Sequence, residues 1–332
     1  MGVKLSPILE RQELNPAELG GKTLCVDAFN TIYQMLSSIR GADGELLKDK
    51  KGRVTSHLAG LFWRNLKLLK QDIKIIYVFD GKAPALKKDT QKQRRQRREE
   101  AYEKWQKEKE AGNLELAAKY AKISTFLTDE MIEDAKVLLR AMGIVCIQAL
   151  SEGEAQAAFM AKKHGFYCCS QDYDAIVFGA PVLVRNLNAN SMYGIKVQPE
   201  IIYQKKVLEV LGISSDDLIN LAILCGTDFN PKGINGLGAK KSLALVKQYK
   251  SLDEIFKNTQ YKWEFDADYE SIYDFFKNPL VTEDYDLSSE SFNRENIIDV
   301  LCGSYDFSRE RIESSLNKFE KEKVTTLSKW FG

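Results

Sequence analysis

Histidine is nearly missing from this chain. His57 and His164 are the only two in 332 residues, so imidazole catalysis has almost nothing to draw on. Cysteine is sparse too. Cys25, Cys146, Cys168, Cys169, Cys225 and Cys302 form no C-x-x-C pair and most stand in apolar company, which reads as buried thiols in a reducing compartment rather than a disulfide framework. No apolar run approaches the ~20 residues of a membrane span. The polar start Met1-Gly2-Val3-Lys4 offers no signal peptide, so the expectation is a soluble, cytoplasmic protein. An excess of one charge is lacking as well: 48 Lys and Arg oppose 47 Asp and Glu, a net charge of +1. Bulk charge therefore decides nothing about nucleic acid, and only its distribution can. With 44% hydrophobic residues the chain can build one large core or two ordinary ones, at ~150 residues per domain.

What the chain has is carboxylates in a pattern. Between 151 and 179, Glu152, Glu154, Asp172 and Asp174 flank one short apolar strand candidate, Phe166-Tyr167-Cys168-Cys169. Adjacent carboxylates raise each other's free energy unless a positive charge lies between them. An all-oxygen set without His or Cys suits Mg²⁺ or Mn²⁺ better than zinc. Plainer readings exist for each residue alone: Ser151 and Glu154 have capping-box spacing, and Asp172 and Asp174 suit a solvated turn.

The pattern repeats upstream. Thr23-Leu24-Cys25-Val26 is closed by Asp27, and 73–79 is closed by Asp80-Gly81. Helical spacing follows each: Ile32, Tyr33, Leu36 and Ile39 after the first, then Leu58, Leu61, Phe62, Leu66 and Leu69 behind a cap at Thr55 or Ser56. Alternating strands and helices imply an α/β fold with a mostly parallel twisted sheet covered by helices on both faces. Ligands of such sheets bind beyond the carboxyl ends of the strands. Asp27, Asp80 and Asp172 would share that rim with Glu152, Glu154 and Asp174, a candidate metal site.

From 82 to 112 the composition changes. Lys87, Lys88, Lys92, Arg94, Arg95, Arg97 and Arg98 face only Asp89, and mixed charges follow. A helix with no apolar stripe should project from the core and be marginal alone. One-signed charge beside an acidic rim favours a phosphate-binding element over a merely solvated face. Tyr102 and Trp105 could pack together or stack on a base. Met131, Ala135, Leu138 and Leu139 mark a core helix stopped at Gly143, and Leu218, Leu221, Ala222 and Cys225 the inward face of another over 216–225. Gly226-Thr227-Asp228 follows, then the glycine-rich turn Gly233, Gly236, Gly238, Lys240, Lys241, whose backbone amides suit a phosphate at a helix start. The stretch 261–290 yields no chemistry. Trp330 and Phe331 near the terminus call for a covering partner.

Together these segments resemble the flap endonucleases of archaea and eukaryotes, in order and over nearly the whole chain. The residues carrying the likeness are Val26-Asp27-Ala28 with Ile32-Tyr33-Gln34, Tyr77 to Lys82, Glu152 to Ala155, Asp172-Tyr173-Asp174, Gly226-Thr227-Asp228 and the Gly233 to Lys241 turn. The resemblance implies the 5′-nuclease (PIN-like) fold: an N-terminal nuclease half at 1–99, a basic arch at 83–135 and an internal nuclease half at 117–258. A helix-two-turn-helix would lie at 228–250, a packing region at 259–323 and a clamp-binding tail at 324–332.

It further implies that Asp27, Asp80 and Glu152 hold one Mg²⁺, and that Glu154, Asp172, Asp174 and Asp228 hold a second, with Mn²⁺ able to substitute. Lys87 and Arg94 would contact the scissile phosphate and Tyr33 a base. Gly2, Arg40, Arg64, Arg185 and Gly226 would help hold DNA, and the glycine-rich turn would grip duplex phosphates around a K⁺. Leu327, Trp330 and Phe331 look like the anchors of a sliding-clamp peptide, although Val324 replaces its usual glutamine and Ala239 stands where a proline is frequent. The short tail looks archaeal. The implied activity is a structure-specific 5′-flap endonuclease with 5′-to-3′ exonuclease activity, serving lagging-strand maturation and base excision repair, monomeric apart from the clamp. A non-catalytic junction adaptor and a bubble- or gap-specific nuclease stay open as alternatives. The presence of all seven acids weighs against the adaptor.

Overall fold

The computed structural model of the protein describes residues 2–41, 43–187 and 197–328, with side chains except at 85, 88, 89 and 323–328. Trp330 and Phe331 of the expected clamp peptide lie outside the described residues, as does the side chain of Leu327.

Seven strands form one sheet: β1 (Gln12–Glu13), β2 (Thr23–Asp27), β3 (Lys74–Phe79), β4 (Val145–Gln148), β5 (Tyr167–Cys169), β6 (Val182–Arg185) and β7 (Glu200–Tyr203). Their spatial order is β1-β7-β6-β5-β2-β3-β4. β6, β5, β2, β3 and β4 run parallel, and β7 and β1 add an antiparallel edge. The strands are apolar on both sides because both sides are covered. Cys25, Ile76, Val78, Ile147, Cys168 and Leu183 face one cluster, with helices Gly153–His164, Ser215–Cys225 and Ala239–Tyr249. Leu24, Val26, Ile75, Tyr77 and Cys169 face the other, with helices Ala28–Ser38, Ser56–Leu69 and Asp129–Ala141. Each fully buried Leu, Ile or Phe contributes roughly 1.5–3 kcal/mol. The buried Tyr77 hydroxyl donates to Asn65 Oδ1 at 3.1 Å, so its polar end is satisfied too.

The chain leaves β2 for β3 on one side and later returns to the other side of β2 with β5. That reversal places a crevice between the carboxyl ends of β2 and β5, the position where open α/β sheets bind ligands.

Several local expectations change. The Ser151–Glu154 capping box does not form. Glu152 is the N-cap residue, without a side-chain cap bond, and Glu154 Oε1 accepts from Ala175 N at 3.1 Å instead. Thr55 is the N-cap of its helix but makes no capping bond, and Ser56 Oγ accepts from Leu47 N across a loop. The helix expected at 216–225 starts at Ser215 behind a capping box of Ser214 and Asp217. It is buried on every side from Asp217 to Cys225, not along one stripe, because other helices pack over its outer face. The arch helix, Lys88–Glu110, does not stand alone. After a turn at Gly112 the helix Leu114–Ile123 packs back along it, with Ala101, Ala117 and Ala121 buried between. Small residues allow this close packing without an apolar stripe. Tyr102 and Trp105 pack edge to face at 5.4 Å.

Candidate active site

Six carboxylates gather beyond the carboxyl ends of β2, β3, β4 and β5, and Asp228, from the turn after helix Ser215–Cys225, joins them through their shared arch partner Lys87. Asp27 ends β2 and caps the following helix, its Oδ1 accepting from Asn30 N at 3.0 Å. Asp80 follows β3 and accepts from Gly153 N at 2.7 Å, which ties it to the start of the helix that carries Glu154. A side chain at Gly153 would put a Cβ 2.7 Å from Asp80 Oδ1. Asp172 Oδ1 accepts from Gly2 N at 2.9 Å, and its Oδ2 from Asn30 Nδ2 at 3.2 Å. Asp174 Oδ1 accepts from Val3 N at 2.7 Å. Asp228 comes from a tight turn in which Asn230 Oδ1 accepts from Thr227 N and Thr227 Oγ1.

Burial and mutual repulsion leave this cluster short of positive charge. Burial, then Asp80, raises Asp27 to about 8. Burial and Glu152 raise Asp80 to about 6. Burial with Asp172 and Asp228 raises Asp174 to about 7. Glu154 is pushed well above its ordinary value by burial and Asp174. The charges that answer come from the arch. Lys87 Nζ pairs with Glu152 and lies 3.4 Å from Asp228, and Arg94 Nη2 is 2.6 Å from Asp228. Burial opposes the Lys87 charge, but Glu152, Asp228 and Asp174 outweigh it and hold the amine above its usual range.

The donor set fits a hard divalent cation: every donor is a carboxylate oxygen, and two basic groups stand against seven acids. Among the described residues no three of these side chains close into a ligand cage as they stand, and Glu152 and Asp228 engage Lys87 and Arg94.

The remaining candidates divide. The Arg98 guanidinium lies 4.7 Å from the Tyr33 ring centroid, bringing that ring under the arch. Gly2 sits on the acids, where a Cβ would meet Asp174 Oδ1 at 2.6 Å. Gly226 (φ +109°) and Gly233 (φ +65°) bring two backbone segments together, with Cβ positions 2.8 Å from Gly233 N and 2.5 Å from Cys225 O. Gly236, Gly238, Lys240 and Lys241 line or border an open surface, and Gly233 to Gly238 form a cleft of about 910 Å³ with Tyr261, Lys262 and Phe265.

Arg40 is engaged within the protein: it donates to Leu36 O, Gly44 O and Thr125 Oγ1, each at 2.7 Å. Arg185 donates to Gln171 O and Glu200 and stacks on Tyr173 at 3.9 Å. Arg64 Nη2 lies 3.9 Å from Cys169 Sγ. Sequence reasoning missed Asn30, which orients Asp172, and Thr90, whose hydroxyl donates to Asp228 O at 2.7 Å. A signal for Thr90 existed: Lys87, Thr90, Arg94 and Arg98 follow at three- and four-residue intervals, one face of the arch helix.

Known proteins are similar to this chain over nearly its whole length. The XPG N-terminal domain matches residues 1–101 and the XPG I-region residues 143–228. Flap endonuclease 1 of Thermococcus onnurineus is 47% identical, over 100% of this chain and 99% of its own length. The chain belongs to the flap endonuclease family. It is a DNA-cleaving nuclease, from a family whose activity depends on metal. The solved flap endonuclease-1 from Methanococcus jannaschii shares 39% identity with this family member and a TM-score of 0.76, covering 98% of this chain and 100% of that one. The catalytic core of Rad2 in complex with DNA substrate, 22% identical, shares the fold at a TM-score of 0.71 over 95% of this chain and 97% of its own.

Proposed function

We propose that this nuclease cuts 5′ flaps from branched DNA endonucleolytically, trims 5′ ends exonucleolytically, and serves lagging-strand maturation and base excision repair in an archaeal cytoplasm. One observation carries this reading: a half-buried cluster of seven acids is met by two basic side chains reaching in from a single arch. Asp27, Asp80 and Glu152 would hold one Mg²⁺, and Glu154, Asp172, Asp174 and Asp228 a second, with Mn²⁺ as a substitute. Seven carboxylates exceed the near-octahedral shell of one small cation. Bound divalent ions supply water activation and charge neutralisation at a phosphodiester.

The chain's own groups do the rest. Lys87 and Arg94 are positioned to trade their carboxylate partners for the scissile phosphate and to neutralise charge growing on it in the transition state. Gly2 and Val3 amides and Asn30 hold Asp172 and Asp174 in place. Tyr33 offers a ring for a base. Gly226, the turn from Gly233 through Gly236 and Gly238, and Lys240 and Lys241 grip duplex phosphates with K⁺, while Arg40, Arg64 and Arg185 help hold the DNA. Phosphate and stacking contacts carry no base code, so junction shape is the recognised feature. Leu327, Trp330 and Phe331 are proposed to anchor a PCNA-type sliding clamp.

The test uses labelled DNA with flaps, nicks, forks and bubbles, Mg²⁺ with and without chelator, and the clamp. Cleavage at the flap base that disappears with chelator is expected. Binding of flaps without cutting, or preferred cutting of bubbles, overturns the assignment. Deleting Leu327, Trp330 and Phe331 should remove clamp stimulation and spare basal cleavage.

A further inference from the structure

The segment 279–293 has no regular structure, yet it is held along one helix. Gln156 is fully buried, and its side-chain amide makes two bonds to one residue: Nε2 donates to Thr282 O at 2.9 Å, and Thr282 N donates to Oε1 at 2.8 Å. Two further ties lie two turns on. Lys163 pairs with Glu283 at 2.7 Å, and His164 Nε2 meets the Tyr285 hydroxyl at 2.7 Å. Beyond them, Asn293 N donates to Ala141 O at 2.8 Å. Residues 282–285 thus run beside helix Gly153–His164 from its first turn to its last, and the segment's far end is tied to helix Asp129–Ala141.

That helix positions three of the seven acids. Glu152 is its N-cap residue and Glu154 lies in its first turn. Its first amide, Gly153 N, holds Asp80. Gln156 N donates to Glu152 O at 3.1 Å, so the tethered residue is one turn from the cap it supports. A helix that slid or tilted would move Glu152 and Glu154 and break the Asp80 bond together.

We infer that 279–293 is a strap setting the axial position of this helix, and that Gln156 is a positioning residue for the divalent-cation affinity of Asp80, Glu152 and Glu154. The inference deepens the proposed metal site and rests on it. Gln156→Met keeps similar bulk and can make neither bond to Thr282.

Calorimetric titration of the full chain with Ca²⁺ should show at least about fivefold weaker binding for Gln156→Met. The Mg²⁺ concentration giving half-maximal single-turnover cleavage should rise by a similar factor, with the saturating rate within about twofold of the parent. A residue that merely stabilised the fold would lower the melting temperature in EDTA and leave divalent affinity unchanged at temperatures where the protein is folded. If Gln156→Met does not fold, the double change Glu283→Ala and Tyr285→Phe loosens the strap from its exposed side and should weaken Ca²⁺ binding by about twofold to threefold. Parental Ca²⁺ affinity in every variant that folds overturns the strap. A wild-type protein that binds no divalent ion would instead overturn the metal site itself, a distinct failure.

Discussion

The carboxylate cluster is half-buried, with Asp27, Asp80, Asp172 and Asp174 held by backbone amides near strand ends. Asp174 is 8% exposed and takes the Val3 amide. The arch helix, which reaches into that rim, has only Ala101 buried among its described residues. Apart from helix Leu114–Ile123 packed along it, its ends are held by charge: Lys87 and Arg94 to acids at one end, Lys109 to Asp43 and Glu45 at the other. Backbone hydrogen bonds thus fix the acids, while the arch meets them through charge pairs that can exchange partners. Substituting the rim should cost chemistry, and substituting the arch should cost progressively less with distance from the acids.

The largest effect is expected at the rim. Asp174→Asn keeps volume and removes one charge, so single-turnover cleavage should fall at least about a hundredfold, with flap affinity in Ca²⁺ within about threefold of the parent. Near-parental cleavage would remove Asp174 from the site. At the near end of the arch, Lys87→Glu or Arg94→Glu should slow single-turnover cleavage by about tenfold or more, and weaken flap binding by clearly less. Equal losses in rate and affinity would make them simple phosphate anchors.

A third effect separates the regions by pH. Folding raises Asp80, Asp174 and Asp27 to about 6, 7 and 8, so the folded metal-free protein retains protons that the unfolded chain has released above its ordinary carboxyl range. Their contribution to stability is therefore full below pH ~4 and is lost as pH rises toward 8. The melting temperature in EDTA should drop across that window, and the gain from added Mg²⁺ should grow across it. Asp174→Asn should flatten both trends and Lys109→Ala neither; identical profiles in parent and Asp174→Asn would contradict the cause. The smallest effect belongs to the far arch. Lys109→Ala breaks only half-exposed ion pairs and should leave the single-turnover rate within about twofold. A larger loss would show that the far end positions Lys87.

The acids were legible because each strand is short, apolar and closed by Asp, so Asp27, Asp80 and Asp172 stand out before any contact is known. Charge density marked the basic run at 87–98, and only the family resemblance singled out Lys87 and Arg94 within it. Arg40 came only from the resemblance, and no sequence pattern announces its partners, two carbonyls and a hydroxyl brought together by folding. The same holds for Arg185 against Gln171. The Gln156–Thr282 pair spans 126 positions and involves only the backbone of its second member, so no residue type at 282 announces it. Helix Ser215–Cys225 carried a clue in its apolar character on every side, which marks a helix enclosed by others.

The two-residue strand β1 has a consequence for how molecules meet one another. Parallel sheets end in unpaired backbone groups that can recruit a strand from another chain. Here β7, with Ile201 and Ile202 buried, is covered by Gln12 and Glu13, both exposed and one charged. So short and polar a border gives a neighbour little to pair with. Removing it would bare the four-residue β7 edge, turning a crowded solution of intact molecules into one prone to edge-to-edge aggregation.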